Sequence, residues 1–141
     1  MQKSDKERIL QKLDEIDKFL NELSQMKPSK EEYVSDIVSR RACEKTIELA
    51  IESVIDVSSM VVSYERLGTP DDENHIFSIL ETKKVITRSM KDKIMEMKGF
   101  RNILVHRYGQ IDDDLVYDFL ENDLKDFEEF SSQIAKFIKN R

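Results

Sequence analysis

The chain has 141 residues, with 39% hydrophobic and 37% charged side chains, a length and composition that suit one domain with one core. Three Gly, two Pro and no Trp leave little of the turn chemistry that an all-β domain needs, and the single Cys43 excludes an intramolecular disulfide. No apolar run approaches the ~20 residues of a membrane span, and the N-terminus lacks the apolar core of a signal peptide. We therefore expect one soluble, cytoplasmic domain over residues 1–141, with no membrane partner.

The first half of the chain has the apolar spacing of two helices. One stripe steps by three or four residues, as one face of a helix does: Ile9, Leu13, Ile16, Leu20 and Leu23. Pro28 interrupts this pattern, and Ser29 followed by Glu32 has the form of a capping box that starts a second helix. The second helix is predicted to run to about Tyr64, with an apolar face broad enough for the centre of a bundle: Ile47, Ala50, Ile51, Val54, Ile55, Val57, Val61 and Val62.

Two further helices are predicted in the middle of the chain. The Leu67–Pro70 segment is a clear break, after which Thr69 as the cap and Pro70 at the first helical position predict a short third helix. Ser89, with an acidic residue three positions later, predicts the start of a fourth helix, which Gly109 would end.

A last helix is predicted to begin with the Asp112–Asp114 run, because the helix dipole favours negative charge on its N-terminal turn. Its expected buried face consists of Leu120, Leu124, Phe127, Phe130, Ile134 and Phe137. The predicted fold class is therefore all-α, an antiparallel bundle of four to five helices with short connections.

Charge is unevenly distributed along the second half. The stretch Lys83–Arg107 holds eight basic and two acidic residues, whereas Asp112–Glu129 holds nine acidic residues and one Lys. One interpretation is a solvated surface of salt bridges between neighbouring helices. The other is a local strip that attracts phosphate, with an acidic surface elsewhere for a basic partner. The net charge of −6 argues against a general nucleic-acid binder.

The fourth predicted helix carries an Arg where its periodicity predicts an apolar residue. Position 101 completes a stripe formed by Met90, Ile94, Met97 and Leu104. Burying an unpaired guanidinium is costly, so Arg101 needs an acidic partner or a ligand anion. His106 lies about 140° further round an ideal helix, so the two side chains do not share a face. Either the helix end is distorted, or the two cooperate across a dimer seam.

Residues 101–108, RNILVHRY, resemble the motif of the HEPN superfamily, in which an Arg is followed after four residues by His and after one more by Tyr. Three segments are similar to its HepT-like toxin branch in particular: Phe100–Asp112, Leu67–Pro70 with the following Phe77–Leu80, and Arg41–Lys45. The resemblance extends over roughly 33–130 and so covers most of the chain.

The resemblance implies a helical bundle that forms a two-fold homodimer, with the motif helices facing each other across a cleft. Many similar toxins are metal-independent ribonucleases, and a minimal nucleotidyltransferase encoded beside them acts as antitoxin. In some pairs this partner transfers AMP to the motif Tyr. Carried over, Arg101 would bind the scissile phosphate of an RNA substrate, His106 would be the general acid or base, and Tyr108 would accept AMP and help to position RNA.

Two functions remain open at this point. The complete set of Arg101, His106 and Tyr108 favours an enzyme, an endoribonuclease toxin restrained by its partner. The acidic total charge favours a HEPN protein without catalytic activity, which binds a nucleotidyltransferase partner or a nucleotide. We expect no cofactor and no metal site, because Asp112–Asp114 is better explained as helix-start charge and there is no Gly-rich phosphate loop. His75 is expected to be incidental.

Overall fold

The computed structural model describes residues 1–106 and 111–141, and within these residues it contains seven α-helices and no strand. The helices are α1 (Lys3–Met26), α2 (Lys30–Ser35), α3 (Ile37–Tyr64), α4 (Glu73–Thr82), α5 (Arg88–His106), α6 (Asp113–Asn122) and α7 (Lys125–Lys139). The predicted all-α fold class is confirmed.

Helix α3 lies at the centre of the fold. It packs against α1, α2, α4 and α5, while α7 closes the bundle against α1 and α5. The whole apolar face predicted for this segment is buried, as a helix surrounded by others requires. No described helix is long and apolar enough to cross a membrane.

The predicted second helix is divided in two at Asp36, so its prediction as one continuous helix is wrong. Ser29 does cap the first part, because its hydroxyl oxygen accepts the N–H of Glu32 at 3.2 Å. Asp36 then adopts extended backbone angles (φ −116°, ψ 107°), and its carboxylate accepts the N–H of Val38 at 3.0 Å. Asp36 therefore ends α2 and caps α3.

The predicted last helix is also divided, into α6 and α7. Asp112 caps α6, since its carboxylate accepts the N–H groups of Asp114 and Leu115 at 2.9 and 3.4 Å, and the expected negative charge of the first turn is that of Asp113 and Asp114. The helix ends at Asn122, and α7 begins at Lys125. The five predicted helices are thus present as seven segments.

The start of α4 was misplaced by the sequence pattern. Thr69 and Pro70 lie before the helix, which begins at Glu73. Asp72 is the cap, because its carboxylate accepts the N–H of His75 at 2.8 Å. An aspartate is a better cap than a threonine, and it moves the first turn three residues along the chain.

Candidate functional site

Helix α5 carries the predicted site residues. It begins at Arg88 because the hydroxyl oxygen of Thr87 accepts the N–H of Met90 at 3.1 Å, so the predicted start at Ser89 is wrong. The predicted stripe is confirmed as core, and all of its members are at least 92% buried: Met90, Ile94, Met97 and Leu104. The helix is described as far as His106; its predicted end at Gly109 lies outside the described residues.

An aromatic cluster anchors the second half of α5. The ring of Phe100 stacks on that of Phe119 in α6, with centroids 4.3 Å apart and an angle of 12° between planes. Phe119 meets Phe127 of α7 edge to face at 6.1 Å. Aromatic pairs of this kind add stability beyond the burial of their area. The backbone next to position 101 is therefore fixed against two other helices.

Arg101 has the acidic partner that its place in an apolar stripe demands. Its Nη2 donates to Oε1 of Glu73 in α4 at 2.8 Å, and its Nε donates to Oδ1 of Asn102 at 3.1 Å. The Arg101 side chain is only 17% exposed, so the ion pair is largely shielded from water. A charge-assisted hydrogen bond in such surroundings is stronger than one on the open surface.

Glu73 reaches Arg101 because the turn before α4 is held from several sides. His75, which we expected to be incidental, has a structural role: its Nδ1 accepts the backbone N–H of Asp71 at 3.0 Å. Gly68 lies so close to α4 that an added Cβ would be 3.1 Å from Cδ1 of Ile79. The first turn of α4, with Glu73 in it, is thereby fixed relative to the rest of the bundle.

Helices α4 and α5 run antiparallel and are joined by polar contacts along their length. Glu81, close to the connecting turn, lies 4.0 Å from Lys91. Further from the turn, Nζ of Lys98 donates to Asn74 at 3.1 Å, one residue from the Glu73–Arg101 pair. The register of these contacts places the N-terminal turn of α4 beside the C-terminal half of α5.

His106 is exposed at the described end of α5, and it does not lie on the face that carries Arg101. Asn102 lies four residues before it and therefore shares its face, as do Gly99 and Met95. An added Cβ at Gly99 meets nothing within 4 Å, and Met95 is 37% exposed, so this face of α5 is open. Asn102 thus links the guanidinium to the face of His106. Tyr108, the third predicted site residue, lies outside the described residues.

Part of the basic stretch around α5 is a salt-bridged surface, since three of its seven described cations (Lys91, Lys93 and Arg101) lie in salt bridges. Lys93 lies 2.9 Å from Glu129 and 3.5 Å from Asp126 of α7, and the hydrogen bond to Glu129 raises the pKa of Lys93. On the other side of α5, Lys91 and Arg101 meet the carboxylates of α4.

A cavity of about 900 Å³ lies beside the first turn of α5, next to α7. Lys84, Arg88 and Lys136 are among the residues that line it. It lies some five helical turns, about 27 Å, from His106. In residues 1–106 and 111–141, no group of three His, Cys, Asp or Glu side chains is placed to hold a metal ion.

The model of a protein family described as ribonuclease HepT-like matches residues 9–134 of this chain. The chain belongs to this family. Among curated proteins, it is 25% identical over 122 residues to the mRNA nuclease HepT of Shewanella oneidensis, covering 86% of this chain and 92% of that protein. It is 23% identical to the tRNA nuclease HepT of Aphanizomenon flos-aquae, over 90% of this chain and 87% of that protein.

Solved structures agree with this membership. A tri-AMPylated HEPN toxin of Shewanella oneidensis, in complex with its MNT antitoxin, superposes with a TM-score of 0.85 at 25% identity, covering 91% of this chain and 96% of that one. YutE of Bacillus subtilis, a cytosolic protein of unknown function, superposes with a TM-score of 0.83 at 18% identity, over 96% of this chain and 91% of that one. The second likeness shows the fold alone.

Proposed function

We propose that this protein is the toxin of a toxin–antitoxin pair, a ribonuclease that cuts RNA without a metal ion at a site between two copies of the chain. The observation that carries the proposal is that one helix presents a fixed, largely shielded Arg101, whose Nε donates to Asn102, and an exposed His106 on the face that Asn102 shares. The names of the family and of the two nuclease relatives support it.

The chemistry assigns one task to each side chain. An imidazole takes the proton of an RNA 2′-hydroxyl, the oxygen attacks the adjacent phosphorus, and the bond from phosphorus to the 5′-oxygen breaks as that oxygen receives a proton. Arg101 stabilises the negative charge that develops on the phosphate. The imidazolium that forms can return its proton to that 5′-oxygen, so one His106 serves first as base and then as acid at each site.

The open face of α5 supports a homodimer through this helix. Met95 and His106 are exposed on it, and Gly99 allows a close approach of a second helix. Two copies related by a two-fold axis would bring the same face together from both sides. Each His106 would then lie near the Arg101 of the other copy.

The decisive experiment is cleavage of single-stranded RNA in EDTA by protein purified without partner and without modification. We expect the wild type to cut, and His106→Ala and Arg101→Ala to lower the rate by at least about 100-fold while circular dichroism stays unchanged. Arg8→Ala is the matched control for loss of an Arg, because Arg8 is 63% exposed on α1. A wild type that cuts no RNA, or a His106→Ala variant as active as wild type, would refute the proposed activity.

A minimal nucleotidyltransferase is the proposed antitoxin, acting by transfer of AMP to Tyr108. The AMP phosphate would pair with neighbouring arginine side chains and occupy the position of an RNA phosphate. Intact-mass measurement after co-expression with such a partner should show increments of one or more AMP units. Tyr108→Phe should lack the first increment; an equal increment on this variant would contradict the assignment.

The second candidate is a binding protein that engages a nucleotidyltransferase or nucleotide without cutting RNA. The Glu73–Arg101 ion pair favours it, since the guanidinium charge is already neutralised within one chain. The net charge of −6 favours it as well. An unmodified wild type that binds its partner and cuts no RNA would select this function.

A further inference from the structure

We propose that Glu73 is a positioning residue of this site: together with Asn102 it holds the guanidinium of Arg101 in the orientation that an RNA phosphate requires. The inference rests on the proposed ribonuclease function and adds to it a residue from outside the RNILVHRY motif, on a different helix.

Hydrogen bonds hold the Arg101 guanidinium at two of its three nitrogen atoms. Nη2 donates to Glu73 at 2.8 Å and Nε donates to Asn102 at 3.1 Å. A guanidinium is planar and has five N–H bonds, so two hydrogen bonds in different directions define its plane and its rotation. Three N–H bonds are not used by any described residue, and these remain for the oxygens of a phosphate.

The carboxylate comes from a rigid part of the molecule. Glu73 lies in the first turn of α4, where Asp72 caps the helix and the next residue, Asn74, accepts a hydrogen bond from Lys98 of α5 at 3.1 Å. Glu73 and Asn74 of α4 therefore form hydrogen bonds with Arg101 and Lys98 of α5, which lie three residues apart. A charge stabiliser acts best when it is fixed before the reaction begins.

If Glu73 acted only through its charge, it would weaken RNA binding and hinder the reaction. A carboxylate 2.8 Å from the arginine lowers the positive potential that an incoming phosphate meets. Removing this charge should therefore strengthen RNA binding. If Glu73 positions Arg101, the same change must also slow the chemical step, because a weaker hydrogen bond to Nη2 lets the guanidinium sample more orientations. On removal of the Glu73 charge, a purely electrostatic role therefore predicts an unchanged or higher kcat, and a positioning role predicts a lower kcat.

The first test is the kinetics of RNA cleavage by Glu73→Gln, which keeps the shape of the side chain, removes its charge and leaves only the weaker hydrogen bond of a neutral amide oxygen to Arg101. We expect kcat to fall by about 10- to 100-fold with KM unchanged or lower, since small displacements of a catalytic group have effects of this size. Glu73→Asp should recover part of the loss. Glu81→Gln is the matched control, because Glu81 lies on the same helix and faces Lys91 two turns away; its kcat should equal that of wild type.

A kcat of Glu73→Gln equal to or above the wild-type value would overturn the proposal. Thermal unfolding of the three variants separates this effect from a general loss of stability, because Glu73→Gln and Glu81→Gln each remove one interhelical contact between α4 and α5. A fall in kcat confined to Glu73→Gln, at equal thermal stability, supports positioning.

The second test needs no catalytic activity. A guanidinium held at two corners rotates slowly about its Nε–Cζ bond, so NMR of a ¹⁵N-arginine-labelled protein should show separate Nη signals for Arg101. These signals should merge in Glu73→Gln and stay separate in Glu81→Gln. Unchanged signals in Glu73→Gln would overturn the positioning role even if the wild type cuts RNA. If the wild type cuts no RNA, the proposed function fails, and the NMR result alone decides whether Glu73 orients Arg101.

Discussion

At the scale of single residues, the buried hydroxyl group of Tyr33 lowers the stability of the fold. The side chain is fully buried, and its hydroxyl has no hydrogen-bond partner among the described residues. Burial raises the pKa of Tyr33 above its ordinary value, and the nearby carboxylate of Glu44 adds to the shift. An unsatisfied buried hydroxyl loses its bonds to water without replacement.

Tyr33→Phe should therefore raise the free energy of unfolding, by about 1 kcal/mol. The effect should grow above pH 10: because the folded-state pKa of Tyr33 is raised, the unfolded chain releases this proton first, and the wild type loses stability as pH rises from there. The variant lacks this loss. Urea unfolding at pH 7.5 and pH 10.5 measures both effects.

Tyr117→Phe is the control for this comparison, since Tyr117 packs beside Tyr33 with ring centroids 5.8 Å apart but donates its hydroxyl hydrogen to the carbonyl of Pro28 at 3.3 Å. Removing that satisfied hydroxyl should lower stability at pH 7.5. A Tyr33→Phe variant less stable than wild type would mean that its hydroxyl does have a partner.

At the scale of elements, apolar periodicity identified the helices but not where two of them divide. The face of α3 could be predicted because every third or fourth residue from Ile47 to Val62 is apolar, over about four turns. The breaks within the predicted helices depend on the backbone angles of single residues, as at Asp36. The sequence alone does not show whether a polar residue on an exposed face continues a helix or caps the next one. In the last helix, Leu120 and Leu124 continue the apolar pattern across the break and conceal it.

The same limit explains which part of the site the sequence could predict. Arg101 interrupts an apolar stripe, so the need for a counter-charge was visible. Glu73 was not identified, since it lies 28 residues away and resembles any acidic residue in a first helical turn. A signal did exist: a short connection makes α4 and α5 antiparallel, which brings the start of α4 beside the end of α5. Predicting the contact would have required the cap at Asp72, and the pattern favoured Thr69.

At the scale of the whole molecule, the placement of Arg101 and His106 on different faces of α5 bears on how many chains form one site. Arg101 lies in the seam with α4 and is 17% exposed, while His106 is on the open face. A site made within one chain would need both groups to reach round the helix to the same phosphate. A site made between two chains would need the open faces of two α5 helices to meet in a register that brings the His106 of one copy to the Arg101 of the other, and the exposed Met95 and the unobstructed Gly99 leave room for such a contact.

Subunit mixing distinguishes the two arrangements. In a dimer of one Arg101→Ala chain and one His106→Ala chain, neither chain has both Arg101 and His106. Across the dimer interface, however, the intact Arg101 of one chain meets the intact His106 of the other at one of the two sites. If sites form between chains, equal mixing of the two inactive variants should restore about a quarter of wild-type cleavage, because half of the dimers are mixed and each has one complete site. Each variant mixed with itself is the control and should stay inactive.

Light scattering must show a dimer at the same concentration. A strict monomer, or a mixed dimer that does not cleave RNA when the wild type does, would place the whole site within one chain.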